Sequence, residues 1–142
     1  FSTYQDGIPT YSNLIFKFEL MQTESNDHDS DNIPSYMEVS DSNEYDLYGL
    51  DSDNDTAPNF LDTDDDGDGT ITADEIMIEV YSDTSLEALK FTLSEIVLLS
   101  NQFISSISSN SGTFNADVVT LVDSNNNGIP NYLDSTESDT IE

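Results

Sequence analysis

Aspartates spaced two apart are the residues of this chain best placed to do chemistry. In the segment from Asp64 to Glu75, carboxylates stand at positions 1, 3 and 5 of a twelve-residue frame, with Gly69 at position 6 and Glu75 at position 12. A curling loop with that spacing turns Asp64, Asp66 and Asp68 toward one point. Gly69 permits the sharp turn, Thr70 offers its carbonyl, Thr72 can act through a water, and Glu75 can close the shell with two oxygens. Hard oxygen ligands in a flexible shell favour calcium over transition metals. A register starting at Asp62 also puts a glycine at position 6, Gly67, but it ends on Ala73 and lacks the closing carboxylate.

Three other segments keep the same frame: Asp27 to Glu38, Asp51 to Asp62, and Asp123 to Asp134. Their candidate ligands are Asp27, Asp29, Asp31 and Glu38; Asp51, Asp53, Asp55 and Asp62; and Asp123, Asn125, Asn127 and Asp134. Each has a proline at position 8 (Pro34, Pro58, Pro130) and an aromatic at position 10 (Tyr36, Phe60, Tyr132). Repetition of this kind argues for one physical job done several times. The competing reading, an acidic disordered linker that holds no metal, explains none of the period. Position 6 varies between Asn32, Thr56 and Gly128, of which the asparagine and the glycine tolerate a left-handed turn. Asparagines at positions 3 and 5 leave the 123–134 loop with the fewest charges and predict weaker binding there. Residues 41–49 are not read as a further loop. His28, at position 2, is given no role, because side chains at that position usually point outward.

The loops explain where the charge sits. The 142 residues carry 30 Asp and Glu against two Lys, for a formal net charge of −28. Nineteen of the acids lie in residues 24–79, which hold no Lys or Arg. Such a balance excludes direct grip on nucleic-acid phosphates or an anionic bilayer, both of which need clustered cations. With no cysteine and one histidine, a Cys/His metal site or a nucleophile triad is excluded too. The longest apolar run, Ile96 to Leu99, is far too short to span a membrane. Self-repulsion destabilises a compact state unless something neutralises it. The chain opens on Phe1-Ser2-Thr3-Tyr4 without a start methionine, which suggests an internal fragment or processed form with any signal or lipid anchor outside it.

Elements must position these loops. Leu14, Phe16, Phe18 and Leu20 alternate with Ile15, Lys17, Glu19 and Met21, the period of a strand. Thr84-Ser85-Leu86-Glu87 offers a capping box with Thr84 as cap. Leu86, Leu89, Leu93, Ile96, Val97, Phe103 and Ile107 then recur at three and four, predicting a helix over about 85–100 that can extend to 108 and packs on the loop aromatics. A short strand is expected at Asp117–Val122. The expected fold is a mostly irregular calcium-loop repeat structure with one N-terminal β-strand and one α-helix, of small α+β content. Four units follow: 1–23, the loops of 24–80, a helical segment 81–122, and 123–142 with a further loop and an acidic tail.

The loop 64–75 resembles an EF-hand loop, and residues 27–75 and 123–134 resemble the aspartate-rich calcium repeats of thrombospondin type 3. Pro58 to Thr63 leaves no room for a full entering helix before Asp64, which favours the second resemblance. There, chain wraps around calcium ions, with prolines and aromatics packed between them. Separately, Gly7-Ile8-Pro9-Thr10-Tyr11-Ser12-Asn13-Leu14-Ile15-Phe16-Lys17-Phe18-Glu19-Leu20 is similar to the C-terminal strand of FKBP-type peptidyl-prolyl isomerases, with Thr10 where that family usually has a second proline. By that resemblance Ile8 and Phe16 would line a pocket for proline-containing polypeptides, and this chain alone would be inactive. Together the resemblances imply a calcium-binding, calcium-rigidified C-terminal region of an extracytoplasmic isomerase in a bacterial envelope. The alternative is a calcium-dependent adhesion or docking module of a cell-surface protein without catalysis.

Overall fold

The computed structural model describes residues 26–39, 50–138, 140 and 141. The expected N-terminal strand around Phe16 lies outside the described residues, as do Ile8 and residues 41–49.

Three strands and one helix make up the regular part: β1 (Ile76–Asp83), α1 (Leu86–Glu95), β2 (Gln102–Asn110) and β3 (Thr113–Leu121). The strands form one antiparallel sheet in the order β1-β3-β2. β3 is central because it carries the small and β-branched residues that a strand covered on both faces needs: Ala116, Val118 and Val119 are all buried. β2 and β3 are joined through Ser111-Gly112, both at positive φ (51° and 86°), as a two-residue hairpin turn requires. Ser105 sits where the β2–β3 register slips between Ile104 and Ser106, a β-bulge that bends the edge strand.

Alternation along β3 gives the sheet two different faces. Ile76 pairs with Leu121 and Phe103 with Val119. This face carries the core: Ile33, Ile76, Val119 and Tyr132, with Phe103, Leu121 and Leu133 packed on it. Ile33 and Tyr132 come from aspartate loops, so the loops are fastened to one sheet face by their own apolar residues. Ala116 and Val118 point the other way, and α1 packs against β1 and β3 through a fully buried Leu89.

The small α+β content is as expected, but its distribution differs. The helix ends at Glu95, not 100 or 108, and it packs on β1 and β3 of the sheet. Residues 102–110 are strand: Phe103 and Ile107 satisfy a spacing of four, yet in this serine-rich stretch with Ile104 they equally satisfy a pleat. β1 had not been expected, although Ile76, Ile78 and Val80 alternate. β3 begins four residues earlier than the strand expected at Asp117. The cap also moves by one residue. Ser85 is the N-cap, its Oγ accepting from the Ala88 N–H at 3.2 Å, while Glu87 lies 3.7 Å from Lys90. The Thr84 hydroxyl instead meets Asp83 Oδ1 at 3.3 Å. Replacing Ser85 by Ala should therefore cost about 1 kcal/mol of stability in urea unfolding, and Thr84→Ala only a few tenths. Equal losses would return the cap to Thr84.

Candidate metal centre

All four twelve-residue frames fold alike, and four hydrogen bonds recur in each. The position 9 N–H donates to the carbonyl just before position 1: Ser35 to Asn26, Asn59 to Leu50, Thr72 to Thr63 and Asn131 to Val122, at 2.7–2.9 Å. The position 9 side chain accepts from the position 2 N–H, as Ser35 Oγ does from His28, Asn59 Oδ1 from Ser52, Thr72 Oγ1 from Asp65 and Asn131 Oδ1 from Ser124. The position 6 N–H donates to one oxygen of the position 1 aspartate. The position 11 N–H closes a tight turn on the position 8 carbonyl. Proline suits position 8 because its own N–H is not needed there, and Ile71 adopts a similar φ of −76°.

Positions 4 and 6 both turn left-handed. Position 4 is Ser30, Asn54, Gly67 or Asn126, at φ of 59° to 68°, and position 6 is Asn32, Thr56, Gly69 or Gly128, at 80° to 99°. The left-handed residue at position 4 helps turn positions 1, 3 and 5 to a common side, and the one at position 6 aims its N–H back at position 1. Thr56 is β-branched and strained at φ 90°. Thr56→Gly should raise the unfolding free energy by up to about 1 kcal/mol, read by urea titration. A loss of stability would show that Thr56 contributes something its left-handed backbone does not explain.

In the third loop the backbone uses one carboxylate oxygen and leaves the other without a partner. In 64–75, Asp66 Oδ1 accepts from the Asp68 N–H and Asp68 Oδ1 from the Thr70 N–H. Asp64 Oδ1, Asp66 Oδ2, Asp68 Oδ2 and Glu75 Oε1 remain, buried and without a hydrogen-bond partner. In 27–38, both oxygens of Asp29, Asp31 Oδ2 and both oxygens of Glu38 are left in the same way. Oxygens of Asp27, Asp29 and Asp31, of Asp51, Asp53 and Asp55, and of Asp64, Asp66 and Asp68 each gather within 4.8 Å of one another. Two oxygens on opposite sides of one calcium ion stand about 4.8 Å apart, twice a bond of about 2.4 Å. The donor set and the orphaned oxygens both fit a hard divalent cation. The 51–62 loop is the most exposed of the three, and Asp62 is half-buried at its end.

The loop 123–134 solves the same problem internally. Asn125 Oδ1 and Asn127 Oδ1 accept backbone N–H groups just as the aspartates do. Where the aspartates hold a second oxygen, these residues hold an amide nitrogen, and both donate to Asp134 Oδ2 at 3.0 and 2.7 Å. Thr136 Oγ1 donates to Asp134 Oδ1 at 2.7 Å. The Thr136 hydroxyl first, and then the Asn125 amide, hold the Asp134 carboxyl down at about 2. Amide donors here meet the closing carboxylate directly.

Elsewhere burial drives the carboxyls the other way. Removal from water, reinforced by neighbouring aspartates, pushes Glu38 up to about 9, Asp65 and Glu75 to about 8, Asp31 to about 7 and Asp29 to about 6. Burial also raises the Tyr132 hydroxyl, with the charge of Asp65 next. Carboxyls whose folded values lie above their unfolded ones stabilise the fold at low pH, and that stability is lost as pH rises through the folded values. In a chelator, the thermal midpoint should therefore fall as pH is raised from 5 to 9. A midpoint that rises over that range would mean these carboxylates have partners other than protons.

Several residues lie differently from the sequence expectation. Of the position 10 aromatics, Tyr132 is buried, Phe60 is half-buried and Tyr36 is 64% exposed, so only the first two pack inward. Thr72 is fully buried, its hydroxyl latched to the Asp65 N–H. Thr70 Oγ1 donates to the Ser138 carbonyl. His28, given no role, lies with Nδ1 2.8 Å from Ser35 Oγ and its ring edge-on to Phe60 at 5.6 Å, fastening the first loop to the second. Asp65 was missed altogether. It is 1% exposed and gathers with Asp31 and Glu38 within 4.8 Å. A fourth aspartic acid inside an already satisfied Asp-x-Asp-x-Asp pattern was the only sign of it.

No curated protein and no solved structure matches the chain. The BamM C-terminal family matches residues 28–102, which take in the first three loops from His28 onward, β1 and α1. That match corrects the assignment of the loops to thrombospondin type 3 or EF-hand-like repeats following an FKBP-type strand, since the matching family is neither. The function drawn from those resemblances, a calcium-binding tail of a peptidyl-prolyl isomerase, is set aside with them, and so is the alternative of an adhesion or docking module. Local spacing had been shared without the ancestry it implied. With more than half of its 142 residues matched, the chain belongs to the BamM C-terminal family.

Proposed function

We propose that this chain serves in the assembly of outer membrane proteins in the bacterial cell envelope, as a domain that joins an assembly complex and performs no insertion of its own. The observation that carries the reading is the BamM C-terminal match over residues 28–102. No described helix is long and apolar enough to cross a membrane. Outer membrane assembly implies an extracytoplasmic setting, where calcium is plentiful compared with cytosol.

In that setting the aspartate loops take calcium as a structural cofactor. The buried, unpartnered oxygens of Asp64, Asp66, Asp68 and Glu75 support this, as do those of Asp29, Asp31 and Glu38. Asp27, Asp51, Asp53, Asp55 and Asp62 complete the acidic sets. The fourth loop, with Asp123, Asn125, Asn127 and Asp134, is the weakest candidate because its amides already occupy the closing carboxylate. Bound cations offset burial of the carboxylates and couple metal uptake to folding.

Two measurements test these readings separately. A tagged parent protein, expressed in its own bacterium and purified from solubilised envelopes, should bring down outer membrane assembly components. Recovery from the envelope without any of them would overturn the assembly role. Calorimetric titration of the full chain with calcium should give saturable heat, and chelator should lower the thermal midpoint at pH 7.5 by several degrees. Absence of both effects removes calcium from the loops and leaves the assembly role untouched.

A further inference from the structure

We propose that Asp31, Glu38 and Asp65 form a divalent-cation site between the first and third aspartate loops, with Asp65 the ligand that ties the two together. The three carboxylates come within 4.8 Å of one another and all are buried, at 2%, 2% and 1% exposure. Both oxygens of Glu38, both of Asp65 and Asp31 Oδ2 are inaccessible and accept no hydrogen bond. A buried carboxylate with no partner is costly, and three facing one another are more so. A cation is the counterpart that all five oxygens can face together.

Position 2 of the frame sets Asp65 apart. In the other loops its side chain is tied to position 9 of the same loop. Ser52 Oγ accepts from Asn59 Nδ2, Ser124 Oγ from Asn131 Nδ2, and His28 Nδ1 meets Ser35 Oγ, at 2.8–2.9 Å. In the third loop Thr72 holds only the backbone N–H of Asp65. The carboxylate is released from its own loop and joins the acids of another. Asp31 belongs both to this group and to the one with Asp27 and Asp29, so it bridges the first loop's own ion and the one between loops. Ile33, two residues from Asp31, packs with Tyr132, Ile76 and Val119, which places the junction next to the core. Three buried carboxylates leave little room for the several waters magnesium keeps, so the ion is of the calcium type.

The inference rests on the reading of the loops as calcium sites, since two of its ligands belong to the first loop. The test uses Asp65→Asn and Asp65→Ser in the full chain, the second restoring the residue that two sister loops carry at position 2. Calcium retained after gel filtration in calcium buffer is counted by elemental analysis, and thermal midpoints are read with calcium and with chelator. Each variant should lose one equivalent. Its midpoint should fall below wild type in calcium and rise above it in chelator, because the substitution removes both a ligand and a buried charge. A variant with every equivalent retained, or with a midpoint lowered in both buffers, would overturn the site while leaving the loop sites standing. Wild-type protein that retains no calcium would overturn both. Should Asp65→Asn fail to fold, Asp65→Ser decides, as serine at this position is compatible with the frame in the second and fourth loops.

Discussion

Carboxylate oxygens turned inward with no N–H to meet them are the constraint on which the rest of the structure depends. The third loop uses its backbone N–H groups on one oxygen each of Asp64, Asp66 and Asp68, and leaves the other oxygen of each buried without a hydrogen-bond partner. Nothing else in the loops can answer them, because residues 24–79 contain no lysine or arginine. Much of the charge of −28 therefore belongs to a folding pattern that places like charges together.

The sheet and the loops depend on each other through few residues. Ile33 and Tyr132 reach from the first and fourth loops onto the face of Ile76 and Val119. A core of that size is small for a domain, and the unpaired oxygens of Asp31 and Glu38 lie within a few residues of Ile33. α1 packs on β1 and β3 with Leu89 fully buried, but little else is covered there: Phe91, Val97 and Leu99 are 69%, 88% and 62% exposed.

The loops were legible in the sequence because their frame is local. Spacing of two, a residue able to turn left-handed at position 6 and an acid at position 12 are all read within twelve residues. The sheet was not, because strand pairing joins Ile76 to Leu121, 45 positions away, and no local signal records it. Phe103 and Ile107 misled for a related reason: a spacing of four fits a helix face and a pleat alike, and only pairing with β3 decides. Asp65 was invisible because the frame predicts where position 2 points only while its partner at position 9 can hold the side chain. Threonine at 72 has no amide to offer, and the carboxylate goes elsewhere. Family membership was hidden for a different reason, since aspartate spacing reflects what an oxygen shell demands and is shared by unrelated chains.

The second and third loops show how tightly one frame constrains the next. Only Thr63 separates Asp62 from Asp64, so the loops must pack side by side. Position 4 takes a serine or asparagine in the first, second and fourth loops, all at positive φ, so conformation alone does not demand glycine there. In the third loop a Cβ on Gly67 would stand 2.6 Å from Asp53 Oδ2 and 2.9 Å from Asp53 Cβ. Real side chains do not come so close, and Asp53 is itself a candidate ligand whose position is fixed by its bond to the Asp55 N–H. Gly67 is therefore required by its neighbour's carboxylate and not by its own turn. The same close packing that lets two acidic loops share so little chain also couples the geometry of one cluster to the backbone of the next. A change at position 4 of the third loop is felt first at Asp53 in the second.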